Sequence, residues 1–254
     1  MSSNWKYLEL SYKNTNANIA LEEALIRARH KVSGSNIFRL WFNPPAVIIG
    51  RNQDLQVEAD VNFCQKSGID IARRASGGGT VFIDRGTLLV TFLVELSLVK
   101  NLETSRYSYF QDTISKALDK FGIPSKIGER GAIITPEGKI SGTAQHQLGN
   151  YLLHHSTLLV SSDLFLLERS LQGREPPPDF RKVKSHRMPV TTVEKILGRS
   201  LEMQEMINVL LESVEGIFEI QLIKGDITPL EQRFAKHLFE NKYTKVRWLT
   251  EGKY

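Results

Sequence analysis

Two short stretches carry residue types arranged for chemistry. In RRASGGGTVF, Arg73 to Phe82, two cations stand directly before three consecutive glycines. Glycine loses more backbone entropy on folding than any other residue, so such a run implies a need for bare backbone. Successive glycines can turn their N–H groups toward an anion, and Arg73 and Arg74 would add charge-assisted hydrogen bonds beside it. The plainer reading is a tight turn next to solvated arginines. In GKISGTAQ, Gly138 to Gln145, a lysine leaves a turn and is followed by Ser141, Gly142, Thr143 and Ala144. These small residues leave room for a ligand beside the Lys139 ammonium, which would offset charge building on a carboxylate or α-phosphate. Otherwise Lys139 is a surface lysine, as most are.

Two familiar phosphate-binding patterns fail. A P-loop requires Gly-Lys-Ser/Thr entering a helix, whereas Gly79 is followed by Thr80, Val81 and Phe82. A dinucleotide fingerprint requires spaced glycines between a strand and a helix, and these glycines are contiguous and lead into a strand. His154 and His155 are adjacent on an expected strand, so they point to opposite faces, which argues against a two-histidine metal site. Cys64 is the sole cysteine, which rules out an intrachain disulfide and a cysteine-based metal cluster. It reads as a core residue on a short helix.

The elements that must position these residues read as follows. Apolar Ile19, Leu21, Leu25 and Ile26, with charges between them, predict an amphipathic helix over Asn18–His30, capped by Asn16 or Asn18. Ile37–Phe42 and Ala46–Gln53 read as strand, turn, strand around Asn43, Pro44 and Pro45. A short helix over Val61–Ser67 precedes a strand at Ile69–Ala72. Asp84, Arg85 and Gly86 predict a β-hairpin within TVFIDRGTLLVTFLVEL. Tyr107–Phe121 is helical, ended by Gly122 and Pro124. AIITPEGKISGTAQ forms a second hairpin, and Leu152–Val160 is a further strand. Residues 174–190 form a basic, proline-rich ordered loop or flap, in which three successive prolines forbid helix. Residues 195–254 are mainly helical, with helices at Glu202–Phe218 and Pro229–Glu240. The sum is one α+β domain over residues 1–254, a mostly antiparallel β-sheet with packed helices.

With 254 residues, 41% of them hydrophobic, the chain can bury a substantial core. The opening MSSNWKYLEL has neither an apolar signal core nor an arginine-rich amphipathic stretch, and the run Leu88–Val99, broken by Glu95, is too short to cross a bilayer. The expectation is a cytoplasmic protein without a membrane partner. A net charge of +5 is mild, and no zinc finger, RNP-like string or basic run interleaved with aromatics points to nucleic acid.

Taken in order, NIALEEALI, AVIIGRNQ, IDIARRASGGGTVF, GKISGTAQ, HHSTLL and KSHRMPVT resemble the lipoate-protein ligase family, relatives of the biotin ligases, over most of residues 10–195. ARRASGGG and KISGTA are specific in combination. The resemblance implies a biotin/lipoate ligase-like catalytic domain that joins lipoate to ATP as lipoyl-AMP and passes the lipoyl group to a lysine of lipoyl domains. It implies that Lys139 binds the carbonyl and α-phosphate. Arg74 and the backbone of Gly77, Gly78, Gly79, Thr80, Val81 and Phe82 would hold the nucleotide and cover the acyl-adenylate, with Mg²⁺ on the phosphates. An apolar lipoate pocket would include Arg73, Ser76, Gly142, Ala144 and His155.

Implied acceptors are the lipoyl domains of 2-oxoacid dehydrogenase complexes and the glycine cleavage H protein, with the basic stretch Arg181–Arg187 contributing to docking. Ile83, Thr87, Gly131 and Ala132 depart from the family pattern, which commonly has His, Asn and Asn-Asp there. These departures leave open a transferase that takes preformed acyl-nucleotide. A cysteine-thioester acyl transferase and a non-catalytic lipoyl-domain-binding protein stay open as well. The C-terminal accessory domain of many bacterial members is expected to be absent, with a separate accessory subunit as a possible partner. The biotin-ligase GRGRxGR-type loop is absent.

Overall fold

A computed structural model of the protein describes residues 3–99 and 105–254. Met1 and Ser2, which begin the stretch read for a targeting signal, lie outside the described residues. In chain order the elements are β1 (Ser3–Glu9), α1 (Thr15–Lys31), β2 (Ile37–Trp41), β3 (Ala46–Ile49), α2 (Leu55–Glu58), α3 (Val61–Lys66), β4 (Asp70–Arg73), β5 (Val81–Ile83) and β6 (Thr87–Glu95). There follow α4 (Arg106–Lys120), β7 (Lys126–Ile127), β8 (Ile133–Thr135), β9 (Gly138–Leu148), β10 (Tyr151–Leu159), α5 (Leu164–Ser170), α6 (Val193–Leu197), α7 (Met203–Phe218), β11 (Ile220–Lys224), α8 (Pro229–Leu238) and α9 (Val246–Glu251).

Eight strands form one sheet in the order β11-β1-β2-β6-β10-β9-β8-β7, and β4-β3-β5 form a second. Pairing is antiparallel except for β1 with β2 and β11, and β3 with β4. One face of the large sheet packs on α4 and α7, where Phe38, Phe92, Phe110 and Leu210 are fully buried. Each such side chain contributes roughly 1.5–3 kcal/mol by leaving water. Against the other face, α1 sets Leu21 and Leu25 on Leu93 and Leu153, while Ile19, Ala20 and Ala24 meet Trp41 of β2 and Ile48 and Ile83 of the small sheet.

Several local expectations change in three dimensions. The N-cap of α1 is Asn14, whose side chain accepts from the Ala17 N–H at 3.0 Å. Asn18 is instead tied to Tyr12 and to Asn43. The Asp84–Gly86 turn is no hairpin, because β5 belongs to the small sheet and β6 to the large one. The Asp84 carboxylate accepts from Gly86 N, Thr87 Oγ1 and Asp163 N, so it fixes a corner that hands the chain between sheets. Asn43, buried at 1% exposure, does the same between β2 and β3 by donating to Thr15 Oγ1 and Pro44 O. No helix among the described residues is long and apolar enough to cross a membrane.

Candidate active site

Lys139 owes its position to a β-bulge. Ile133 of β8 faces Ser141 of β9, and Ile134 faces Lys139, which leaves Ile140 without an opposite residue. Ser141, Thr143 and Gln145 direct their side chains to the α4 face, bonding Gln111 or His154. Strict alternation would send Lys139 there too. The extra residue reverses the parity, so Ile140 enters the α4 core and Lys139 joins the face of Gly142 and Ala144. Its ammonium would lie 3.0 Å from a Cβ placed on Gly142, so glycine is what permits the close approach. Burial lowers the Lys139 pKa, and no carboxylate pairs with it among the described residues. The hairpin at Pro136–Gly138 that delivers it matches the expectation.

The glycine run lies over this face. Gly78 takes φ +83, and a Cβ there would meet Arg74 Nη2 at 3.1 Å and Ala144 Cβ at 3.3 Å. Instead of lying free beside the loop, the Arg74 guanidinium is enclosed by it. It donates to Gly77 O, to Gly79 O at 2.7 Å, to Ile48 O and to Ser76 Oγ. Burial lowers its pKa to about 10. Among the described residues, the amides of Gly77, Gly78 and Gly79 have no protein acceptor, while the carbonyls of Gly77 and Gly79 hold the cation.

Thr80 N donates at 2.8 Å to Ser185 Oγ, which pins residues 174–190 across the loop. Ser185 also accepts from Gln53 Nε2 and donates its amide to Glu58. Gln53, not anticipated from sequence, accepts from Gly50 N and Thr80 Oγ1 as well. Lys182 pairs with Asp54 at 2.9 Å, so part of the expected docking charge is used internally.

Beneath the loop lies a cavity of about 700 Å³, its mouth included, with walls from Ile19, Trp41, Ile48, Val81, Leu89 and Leu153. Arg74, Ser76, Gly79, Gly142, Ala144 and His155 line it as well. A second cavity, about 1330 Å³ with its open mouth included, is lined by Lys139, Thr80, Glu58 and the Ser185–Val190 segment. Lys139 stands at the partition, because Gly142, whose added Cβ would lie 3.0 Å from its ammonium, belongs to the first.

The two adjacent histidines do point apart. His154 is fully buried against Phe110 and Gln111, and burial holds its pKa well below 6.5. His155 faces the first cavity, with Nε2 2.7 Å from Ser76 Oγ and Nδ1 3.1 Å from Glu22 Oε2.

Glu22 and Glu23 were legible only as charges on an amphipathic helix, yet they are 4% and 3% exposed and line the cavity. Burial alone would raise the Glu22 carboxyl, but the His155 hydrogen bond and the Arg39 guanidinium at 2.7 Å outweigh it and lower the pKa. Glu23 is likewise lowered against its burial by Lys242 at 2.7 Å and by the Tyr243 hydroxyl. Tyr243 also lines the cavity, so the C-terminal segment closes it. The pair of acids inside an apolar helix, EEALI, was the available signal for this buried cluster.

One expected pocket side chain falls elsewhere. The Arg73 guanidinium points away from the cavity and donates to the carbonyls of Gly50, Arg51, Gln53, Leu249 and Thr250. It joins the β3 end to α9 because a buried guanidinium needs all its N–H groups satisfied. The Phe82 side chain packs with Val47, Ile49 and Cys64 on the far side of the small sheet, so only its backbone, the part expected to act, is on offer to a ligand. Of the positions that depart from the family pattern, Ile83 is fully buried and lines the first cavity. The Thr87 hydroxyl is occupied by Asp84 and Ser162.

The chain matches the family described as the lipoyl protein ligase A/B catalytic domain over residues 14–215. It is 29% identical over 251 residues to lipoate-protein ligase A subunit 1 of Thermoplasma acidophilum, covering 92% of each chain. It is 23% identical over 268 residues to octanoyltransferase LipM of Clostridioides difficile, covering 96% of this chain and 99% of that one. Among solved structures, it superposes with a TM-score of 0.81 and 25% identity on a chain from the archaeal lipoylation system of T. acidophilum, covering 99% of this chain and 98% of that one. That structure is described as a bi-partite lipoate protein ligase and its E2 lipoyl domain. The chain belongs to the lipoyl protein ligase A/B catalytic-domain family.

Proposed function

We propose that this protein is a single catalytic domain that activates lipoate with ATP and transfers the lipoyl group to a lysine of a lipoyl domain. The observation that carries this reading is the half-buried Lys139 ammonium at the partition between the two cavities, one walled by apolar side chains, with no carboxylate paired to it among the described residues. A partly buried cation without a partner is unfavourable until an anion arrives. The acyl chain would occupy the first cavity and the nucleotide the second, so that carboxylate and α-phosphate meet at Lys139.

In the first step a carboxylate oxygen bonds the α-phosphorus, the bond to the β-phosphate oxygen breaks, and pyrophosphate leaves. In the second, the acceptor amine bonds the acyl carbon, AMP leaves, and the amine proton is lost. Lys139 offsets the negative charge in both, and the uncommitted amides of Gly77–Gly79 donate to phosphate oxygens. Mg²⁺ would enter with the nucleotide. No group of three or more His, Cys, Asp or Glu able to hold a metal occurs among the described residues, which fits an ion carried mainly by phosphate oxygens and water.

A second reading, transfer from preformed acyl-nucleotide, is favoured by Ile83, whose apolar side chain stands where the family commonly has histidine. The thioester route is disfavoured by Cys64, which is fully buried with its thiol pushed up to about 11. Lipoyl domains of 2-oxoacid dehydrogenase complexes and the H protein are the proposed acceptors. A relative named as subunit 1 and a structural relative described as bi-partite support a separate accessory subunit.

The test is lipoate-dependent pyrophosphate release from ATP by the purified chain, with the mass of an added lipoyl domain read in parallel. Lys139→Ala should lower release by about 10²–10³-fold. Transfer from synthetic lipoyl-AMP without any release from ATP would select the second reading. Absence of both would overturn the enzyme reading.

A further inference from the structure

The first cavity holds a second set of reacting groups that adenylation does not employ. Ser76 Oγ lies 2.7 Å from His155 Nε2, and His155 Nδ1 lies 3.1 Å from Glu22 Oε2. With the imidazole proton on Nδ1 and donated to Glu22, Nε2 is free to accept the Ser76 hydroxyl proton. Nucleophile, base and orienting carboxylate then stand in series. Glu22 is itself fixed by Arg39 at 2.7 Å and by Thr91 Oγ1 at 3.0 Å. Arg74 Nε donates to Ser76 Oγ at 2.9 Å, which holds the oxygen in place and favours its alkoxide. All three members of the series line the cavity.

An electrophilic partner is also close. Ala144 pairs with His155, and Gly142, beside the Lys139 ammonium, pairs with Thr157 two residues along the same strand. Two residues of strand span about 7 Å. The glycine loop roofs this interval, since Gly78 rests over Ala144. An acyl carbonyl lying beneath the loop has Ser76 at one side and the Lys139 cation at the other.

We propose that the chain also cleaves preactivated acyl esters and thioesters without ATP, through an acyl-serine at Ser76. The inference rests on the reading of this cavity as an acyl pocket. Ser76 Oγ bonds the acyl carbon while its proton passes to His155 Nε2, and Lys139 offsets the charge on the tetrahedral oxyanion. The C–S or C–O bond to the leaving group breaks, and His155 returns the proton to the departing thiolate or alkoxide. Water, giving a proton to His155, then attacks the serine ester. The carboxylic acid leaves and Ser76 regains its proton.

The test supplies p-nitrophenyl octanoate and octanoyl-CoA to the full chain without ATP, reads nitrophenolate and intact-protein mass after acid quench, and runs lipoate-dependent pyrophosphate release beside it. The expected result is a burst of about one nitrophenolate per chain with an octanoyl adduct mapped to Ser76. Ser76→Ala abolishes both, and His155→Gln slows turnover by about 100-fold or more. Ser76→Cys, which keeps a nucleophile, retains an adduct at the same position and serves where the alanine variant does not fold. Hydrolysis that persists in folded Ser76→Ala, or an adduct elsewhere, would overturn the proposal. If ester cleavage is absent while pyrophosphate release persists, the acyl pocket stands and this inference falls. If both are absent, the reading of the cavity falls with it.

Discussion

Gly142→Ala isolates the placement of Lys139 from its charge. The added methyl would sit 3.0 Å from Lys139 Nζ and 3.2 Å from Cε, where ordinary contact is 3.4–4 Å. The ammonium must therefore retreat by a few tenths of an ångström. A displacement of about 1 Å costs about 10²-fold where reacting groups have to align, and a few tenths costs about 10-fold. Relieving glycine in a strand interior contributes roughly 0.5–1 kcal/mol in the stabilising direction, so folding and catalysis should move apart. The assay is the initial rate of lipoate-dependent pyrophosphate release beside a thermal melt. The variant should lose about 10-fold in kcat with an unchanged or higher midpoint. In a Lys139→Ala background the same methyl should add almost nothing, because the group it displaces is gone. An equal loss in that background would show that the methyl obstructs the cavity instead, and undiminished activity in the single variant would refute the importance of the close approach.

Arg73→Ala removes the guanidinium that donates to the carbonyls of Gly50, Arg51, Gln53, Leu249 and Thr250. Stability in urea should fall by about 3 kcal/mol or more, and proteolysis should begin near α9. For pH, the folded chain holds His154 neutral below its ordinary 6.5, so the unfolded chain takes up the proton first. That contribution is present above about pH 6.5 and declines as pH falls below it. Glu22 and Glu23, both lowered from 4.5, add a second decline once pH drops under that value. Denaturation curves between about pH 7 and 3 should show both phases, and His154→Gln should shrink the first, to which His146, also lowered by burial, contributes the remainder. Cys64→Ala should cost about 1 kcal/mol by opening a small void while leaving acyl transfer intact. Loss of transfer in a folded Cys64→Ala chain would reinstate the thioester route.

Much was local and therefore legible. The α4 stripe, the hairpin at Pro136–Gly138 and the strand carrying His154 and His155 follow from periodicity and turn chemistry within one stretch of chain. The glycine run and Lys139 were visible because residue types so costly in packing or so rarely buried stand out in any sequence. Alternation along β10 also sufficed to separate the two histidines. What sequence could not supply was any relation that depends on which strands pair. Asp84–Gly86 has hairpin composition, yet its carboxylate is satisfied by Asp163 N from a distant segment, and the chain crosses between sheets. Arg73 and Arg74 are neighbours of one type, but successive residues leave a strand on opposite sides, so one binds the C-terminal carbonyls and the other the glycine loop. Most plainly, Lys139 reaches the cavity only because β8 pairs with β9 out of step by one residue at Ile140. Its side chain would otherwise follow Ser141 and Thr143 toward α4, since a period of two turns a slip of one residue into a change of face.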